Sequence, residues 1–356
     1  MSFPLSLPRL LRVRTPWPRA LRALSTTRPR LQSPIHPIPY TEACPSPTCA
    51  CAPTPPGLDI DRRTPLLNTM APYTEQVLLC TGKADWASNL EDDGGDTATF
   101  VKGLKRVIGK GGEAFDPFTN VLITASSLPA SPAADTTTAY LFPSFQRIPA
   151  IRHDASSFRA LAAAYLKPET LHPMHAALAP AHRAALTRDP AAANALPAPD
   201  PVTHPVILIC GHGGRDARCG AMGPVLQRQF EEVLARSGTE ALVAQISHIG
   251  GHKYAGNVIV YLPPGWGGGS KSESGSEGEG GRLAGCGIWY GRVGPEQVEG
   301  VVAETVLKGR VVGELLRGGV MQGGGNVGRL VEAQLKEERG EGEARLRLRP
   351  RARAAA

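Results

Sequence analysis

Two short segments concentrate side chains able to hold a metal. Cys210 and Cys219 close the run CGHGGRDARC, and His248 and His252 close HIGGH. Each follows an apolar stretch that reads as a strand, which places both pairs in loops at one end of a sheet. The glycines between them let backbone approach a compact ligand closely. Zinc accepts two thiolates and two imidazoles, and His-x3-His fits the spacing of a zinc finger. The eight residues between the cysteines are far looser than a zinc knuckle. A [2Fe-2S] cluster is a larger object whose four ligands lie further apart, and mixed Cys/His ligation of such clusters occurs. With both Cys in one loop and both His in the other, one iron held by thiolates and the second by imidazoles suits the pattern. Zinc stays open on residue types alone.

Other residues have plainer readings. His212, between the cysteines, is expected to support the site or to be exposed in the loop. Arg215 and Arg218 offset negative charge or solvate the loop, and Asp216 pairs with one of them. Cys286 opens a strand and reads as a core thiol. Cys80 also follows a strand, but it lacks a Cys-x-x-Cys partner that would mark a redox thiol. Trp289 and Tyr290 read as core or sheet-face residues. Cys44, Cys49 and Cys51 lie in a Pro/Thr-rich stretch and read as solvated thiols.

The elements that must carry these loops form an α/β pattern in two units. In the second, residues 205–318, the strand Val206–Ile209 leads into a Gly-rich loop spanning 210–223. A helix begins at Pro224, a residue suited to a first helical position. Strands follow at 241–247, 257–262 and 286–290, and a closing helix runs from Pro295 to Leu316, giving β-α-β-β-β-α. The first unit, residues 73–167, has strands near 76–80, 121–124 and 139–142 and helices at 97–110 and 155–166. An Ala/Pro-rich stretch, 168–204, connects the units, and its His172, His175 and His182 read as a solvated face. Residues 265–282, GWGGGSKSESGSEGEGGR, bury too little to fold and read as a disordered insert. The tail 319–356 reads the same way.

Composition sets the outer limits. Gly (40) and Pro (33) exceed a fifth of the 356 residues, so irregular segments surround smaller folded units. Residues 1–41 hold seven Arg, no Lys and no acid; the rest of the chain balances 32 basic against 32 acidic residues. The net charge of +7 therefore belongs to one end, and nucleic-acid binding is not expected. Residues 1–30 read as a mitochondrial presequence and 31–72 as a Pro-rich linker that does not pack. No apolar run is long enough to span a membrane. Neither paired glycosidase carboxylates nor a Gly-x-Ser-x-Gly elbow is present.

The blocks CGHGGRDARCG, HIGGHKYAGNVIVYLP and GIWYGRVGPEQV, with Cys80-Thr-Gly-Lys-Ala-Asp85-Trp86 and AYLFPSF upstream, resemble the signatures of the sucrase/ferredoxin-like family. Within it they are most similar to the fungal branch concerned with altered inheritance of mitochondria. The resemblance spans roughly residues 75–318. It implies a C-terminal thioredoxin-like ferredoxin domain with a [2Fe-2S] cluster on Cys210, Cys219, His248 and His252. It also implies a mitochondrial one-electron carrier or oxidoreductase in the matrix or intermembrane space, serving thiol redox quality control. Its partners would be redox proteins and the mitochondrial iron–sulfur assembly machinery. Imidazole ligands imply a raised and pH-sensitive potential. Two alternatives stand beside this: a zinc-stabilised binding module without redox activity, and a thiol oxidoreductase using Cys80 with a structural cluster.

Overall fold

A computed structural model describes residues 37–48, 50–268 and 279–340. The presequence, Cys49, most of the Gly/Ser insert and residues 341–356 lie outside the described residues. In chain order the strands are β1 (Tyr40–Thr41), β2 (Glu75–Cys80), β3 (Val121–Ser126), β4 (Thr136–Phe142), β5 (Gln146–Arg152), β6 (Asp200–Pro201), β7 (Val206–Cys210), β8 (Leu242–Ile246), β9 (Val258–Leu262), β10 (Cys286–Tyr290), β11 (Val311–Val312) and β12 (Leu316–Met321). The α-helices are α1 (Gly95–Ile108), α2 (Ala155–Leu161), α3 (Pro180–Leu186), α4 (Ala217–Ser237), α5 (Pro295–Val301) and α6 (Val327–Glu338).

Ten strands form one mixed sheet in the order β12-β10-β9-β7-β8-β3-β2-β4-β5-β6. The α/β expectation holds, and the two halves repeat one plan. In the first, β2 is parallel to β3 across α1 and antiparallel to β4, which is antiparallel to β5. In the second, β7 is parallel to β8 across α4 and antiparallel to β9, which is antiparallel to β10. The halves meet where β3 and β8 run antiparallel through Ser126 and Ile246. Ser247 and Ser127 extend that seam, their hydroxyls accepting the Ala125 and Gln245 amides at 2.9 and 3.0 Å. β2, β7, β9 and β10 are buried along their whole length, and β7 and β9 read as unbroken apolar runs.

Several boundaries differ from expectation. The helix after the cysteine loop starts at Ala217, not Pro224, because Asp216 caps it: its carboxylate accepts the Arg218 amide at 3.0 Å. Pro224 lies inside the helix. The closing helix ends near Leu307 rather than Leu316, since Gly309 takes a left-handed backbone (φ 62°) and turns the chain into β11 and β12. Residues 319–338, expected as tail, complete β12 and form α6, whose Val327 and Val331 are buried. The insert is held at its described flank, where the Trp266 indole donates to the Val306 carbonyl at 2.8 Å.

The largest difference is the segment 37–72. It packs as a strap with Ile38, Leu66 and Met70 buried, and β1 pairs with β11. An extended Pro-rich segment has few internal hydrogen bonds, so its carbonyls need tertiary donors. Arginines supply them: Arg218 bonds Asp59 O at 2.8 Å, Arg292 bonds Asp61 O and Thr64 O at 2.5 and 2.6 Å, and Arg317 bonds Thr69 O at 3.0 Å. Cys44 is part of this packing and is no solvated thiol: its Sγ meets the Gln297 carbonyl at 3.5 Å, and burial pushes it up to about 12. The 168–204 connection is ordered too. His175 is buried and bonds Asp116 at 2.9 Å, and His172 stacks on Phe118.

Candidate metal centre

Both loops leave the same end of parallel neighbours β7 and β8. Cys210 is the last residue of β7 and Cys219 sits in the first turn of α4; both are 1% exposed. The helix N-terminus favours a thiolate there. Cys210 is held well below the ordinary thiol range, chiefly by the hydrogen bond it accepts from Cys219, and Cys219 is raised in turn. His248 is half-buried and interacts with Cys210, while His252 is exposed. Their rings lie 5.6 Å apart, centroid to centroid. Gly250 and Gly251 make the turn between them with φ of 81° and 72°. The four residues therefore come together, thiols inward and imidazoles toward solvent. No three of them bring ligand atoms within 4.8 Å of one another. Donors around one tetrahedral zinc lie within about 4 Å of each other, given bonds of ~2.0–2.3 Å.

The first half of the molecule braces the cysteine loop. Asp85 accepts the Gly214 amide at 3.0 Å. His212, 1% exposed, accepts the His248 amide on Nδ1 at 2.9 Å and turns Nε2 to the Trp86 and Ala87 carbonyls, each at 3.0 Å. An acceptor on one nitrogen and two carbonyls at the other define a neutral tautomer with Nε2 protonated. His212 thus ties the two loops together and is not available as a ligand. Asp216 forms a two-pronged pair with Arg218 at 2.9 and 2.8 Å, and this pair holds its carboxyl down at about 2. Arg215 reaches Ser88 at 3.1 Å. Close packing fixes α4 against β7: a Cβ on Gly223 would sit 2.5 Å from Gly211 Cα.

Arg317, on β12, has no counterpart in the sequence reading. It is 1% exposed and feels the charge of both cysteines. It bonds Gly250 O at 3.1 Å and Asn257 Oδ1 at 2.7 Å, and Thr69 through O and Oγ1 at 3.0 and 3.2 Å. Its guanidinium also faces the Tyr254 ring at 5.5 Å. Burial lowers it to about 10, so it stays charged at neutral pH. The one available signal was an Arg inside the apolar stretch LLRGGVM.

The remaining candidates lie elsewhere. Cys80 ends β2, the counterpart of Cys210 in the repeated plan, but burial pushes it up to about 12. Cys286 is likewise buried and raised to about 12. Trp289 donates to Tyr73 Oη at 3.0 Å and Tyr290 bonds Thr305 at 2.6 Å, both inside the core.

A mixed sheet bearing paired Cys and His loops on adjacent strands defines an α/β protein with a two-loop Cys/His site. The sequence model of the sucrase/ferredoxin-like family matches residues 66–318, and the chain belongs to that family. Among curated proteins it is similar to the altered inheritance of mitochondria protein 32 of three yeasts. Identity is 43% over 124 residues with that of Clavispora lusitaniae, 44% over 119 with Meyerozyma guilliermondii and 45% over 115 with Debaryomyces hansenii. These alignments cover 34%, 33% and 32% of this chain and 37%, 35% and 36% of the relatives. The chain thus spans about a third of the length of the relatives it matches. No solved structure matches it. Among the described residues no helix is long and apolar enough to cross a membrane.

Proposed function

We propose that Cys210, Cys219, His248 and His252 hold a [2Fe-2S] cluster and that the protein is a one-electron redox protein. The observation that carries this reading is the shape of the donor set: a buried thiol pair beside an outward imidazole pair, too spread for one ion. Bound there, the cluster supplies one-electron chemistry. Cys210 and Cys219 would hold one iron as thiolates, favoured by the first turn of α4 and by the buried charge of Arg317. His248 and His252 would hold the other iron as neutral imidazoles, which place less negative charge on it than two more thiolates would. His212 orients the two loops through the His248 amide.

The names of the relatives and the Arg-rich, acid-free first 41 residues support a mitochondrial destination. Family resemblance supports a role in thiol redox quality control, with redox proteins and the iron–sulfur assembly machinery as partners. Deep burial and a raised thiol make Cys80 a poor nucleophile, which disfavours a thiol oxidoreductase built on it. The test is His248→Cys and His252→Cys, each followed by redox titration. Each variant is expected to keep a cluster with a lowered midpoint potential. Potentials unchanged in both would remove these histidines from the site.

A further inference from the structure

In the first half, three elements bring together residues other than the Cys/His pairs. Asp96 lies in the first turn of α1, Asp135 directly precedes β4, and His153 directly follows β5. One ligand atom from each lies within 4.8 Å of the other two. The His153 side chain is 4% exposed, and its Nδ1 is a buried polar atom with no hydrogen-bond partner. Such an atom ordinarily has one, so its lack calls for a ligand. Nδ1 points at Asp96 Oδ1 from 3.5 Å, too far for a good hydrogen bond. It is close to the separation of two donors sharing one ion, since bonds of ~2.0–2.2 Å put neighbouring donors about 3–3.5 Å apart.

The other ring nitrogen strengthens the case. His153 Nε2 lies 2.8 Å from Thr137 Oγ1. With Nε2–H donating there, the lone pair is left on Nδ1, facing the two carboxylates. This is the usual arrangement behind a metal-binding imidazole, whose distal N–H is fixed by an outer partner. Asp135 is held in a left-handed backbone (φ 54°), and its carbonyl accepts the His153 amide at 3.0 Å. The two ends of the β4–β5 hairpin are thus locked where the ligands meet. Both aspartates are exposed, which leaves coordination positions for water or a small anion beside a cavity of about 270 Å³ lined by Asp96, Thr137, Lys83 and Cys80.

We infer that Asp96, Asp135 and His153 Nδ1 form a second metal site, for a divalent transition ion of the manganese–zinc class with open positions. One imidazole and two carboxylates match that class, whereas the thiol-containing site does not suit a hard ion. This inference is independent of what the Cys/His site holds. Manganese is therefore the probe. Purified full-length protein is titrated with MnCl2, and unbound ion is read from its solution electron paramagnetic resonance signal. One saturable site per chain is expected. Asp96→Asn and Asp135→Asn, both surface changes, should each weaken uptake at least tenfold. Thr137→Val should weaken it roughly tenfold to a hundredfold through loss of the outer partner. A Cys210→Ser/Cys219→Ser variant should bind manganese as the wild type does. Absence of saturable uptake would mean that His153 is merely an ion-pair partner of Asp96 and overturn the inference. So would uptake unchanged in both aspartate variants, or uptake lost with the cysteines.

Discussion

Arg317→Lys isolates what the buried guanidinium does for the histidine loop. Arg317 serves two walls at once, Gly250 O with Asn257 Oδ1 on one side and both Thr69 oxygens on the other. A lysine ammonium keeps the charge, but it is a point donor and reaches one wall only. Two buried acceptors then lose their partner. At ~1–2 kcal/mol each, the loss is about 2–4 kcal/mol. A folded unit of this size shifts by roughly 2 °C per kcal/mol, so Tm should fall ~4–8 °C. If the lost wall is the loop, segment 248–257 opens more easily than the rest. Amide exchange there should rise by about 1.5 to 3 decades, at 1.4 kcal/mol per decade. The assay is thermal unfolding by circular dichroism together with hydrogen exchange read by mass spectrometry. Arg317→Met, which also removes the charge, should be worse in retention of bound metal than Arg317→Lys. A lysine variant that melts within about 1 °C of wild type, with 248–257 exchange unchanged, would refute the bracing role.

Three further outcomes follow from the packing. Glu75, 2% exposed, is raised by burial to about 7 against an ordinary value of 4.5, with bonds from Ser144 opposing in part. The folded state holds this proton more tightly than the unfolded state, so its contribution is full below pH 4.5 and is lost as pH rises through about 7. Roughly 3 kcal/mol should disappear across that window, and Glu75→Gln should flatten the denaturant-midpoint profile there; a parallel profile would contradict this. Gly223→Ala places a methyl 2.5 Å from Gly211 Cα. It should cost ~1–3 kcal/mol by overpacking and loosen Cys219 relative to Cys210, seen as reduced metal per chain on elemental analysis. Asp216→Ala removes the cap of α4 and should cost about 1 kcal/mol in urea unfolding, whereas Asp216→Asn, which still caps, should recover most of it.

The Cys and His loops could be placed because their strands are largely apolar and end abruptly in Gly-rich sequence, as at Ile209-Cys210 and Ser247-His248. What surrounds them was not. The start of α4 was read from the early Pro224, whereas the helix starts at Ala217, capped by Asp216, because Cys219 and Met222 bury one turn earlier. Gly309 is an isolated glycine within the largely apolar stretch from Val298 to Leu316, so the turn into β11 and β12 was hidden. The strap 37–72 has the composition of a linker; it folds because Arg218, Arg292 and Arg317 supply donors from distant sequence, which no local pattern encodes. The β3–β8 seam that joins the halves runs through serines, whose amides and hydroxyls both bond across it and which carry no strand signal of their own.

The central claim is tested most directly by purifying the protein anaerobically, recording its visible absorption, and quantifying iron, acid-labile sulfide and zinc. The account predicts a red-brown protein with charge-transfer bands and two irons and two sulfides per chain. On one-electron reduction it predicts a paramagnetic resonance signal that is lost in Cys210→Ser and Cys219→Ser. A colourless protein carrying one zinc per chain on the same residues would contradict it.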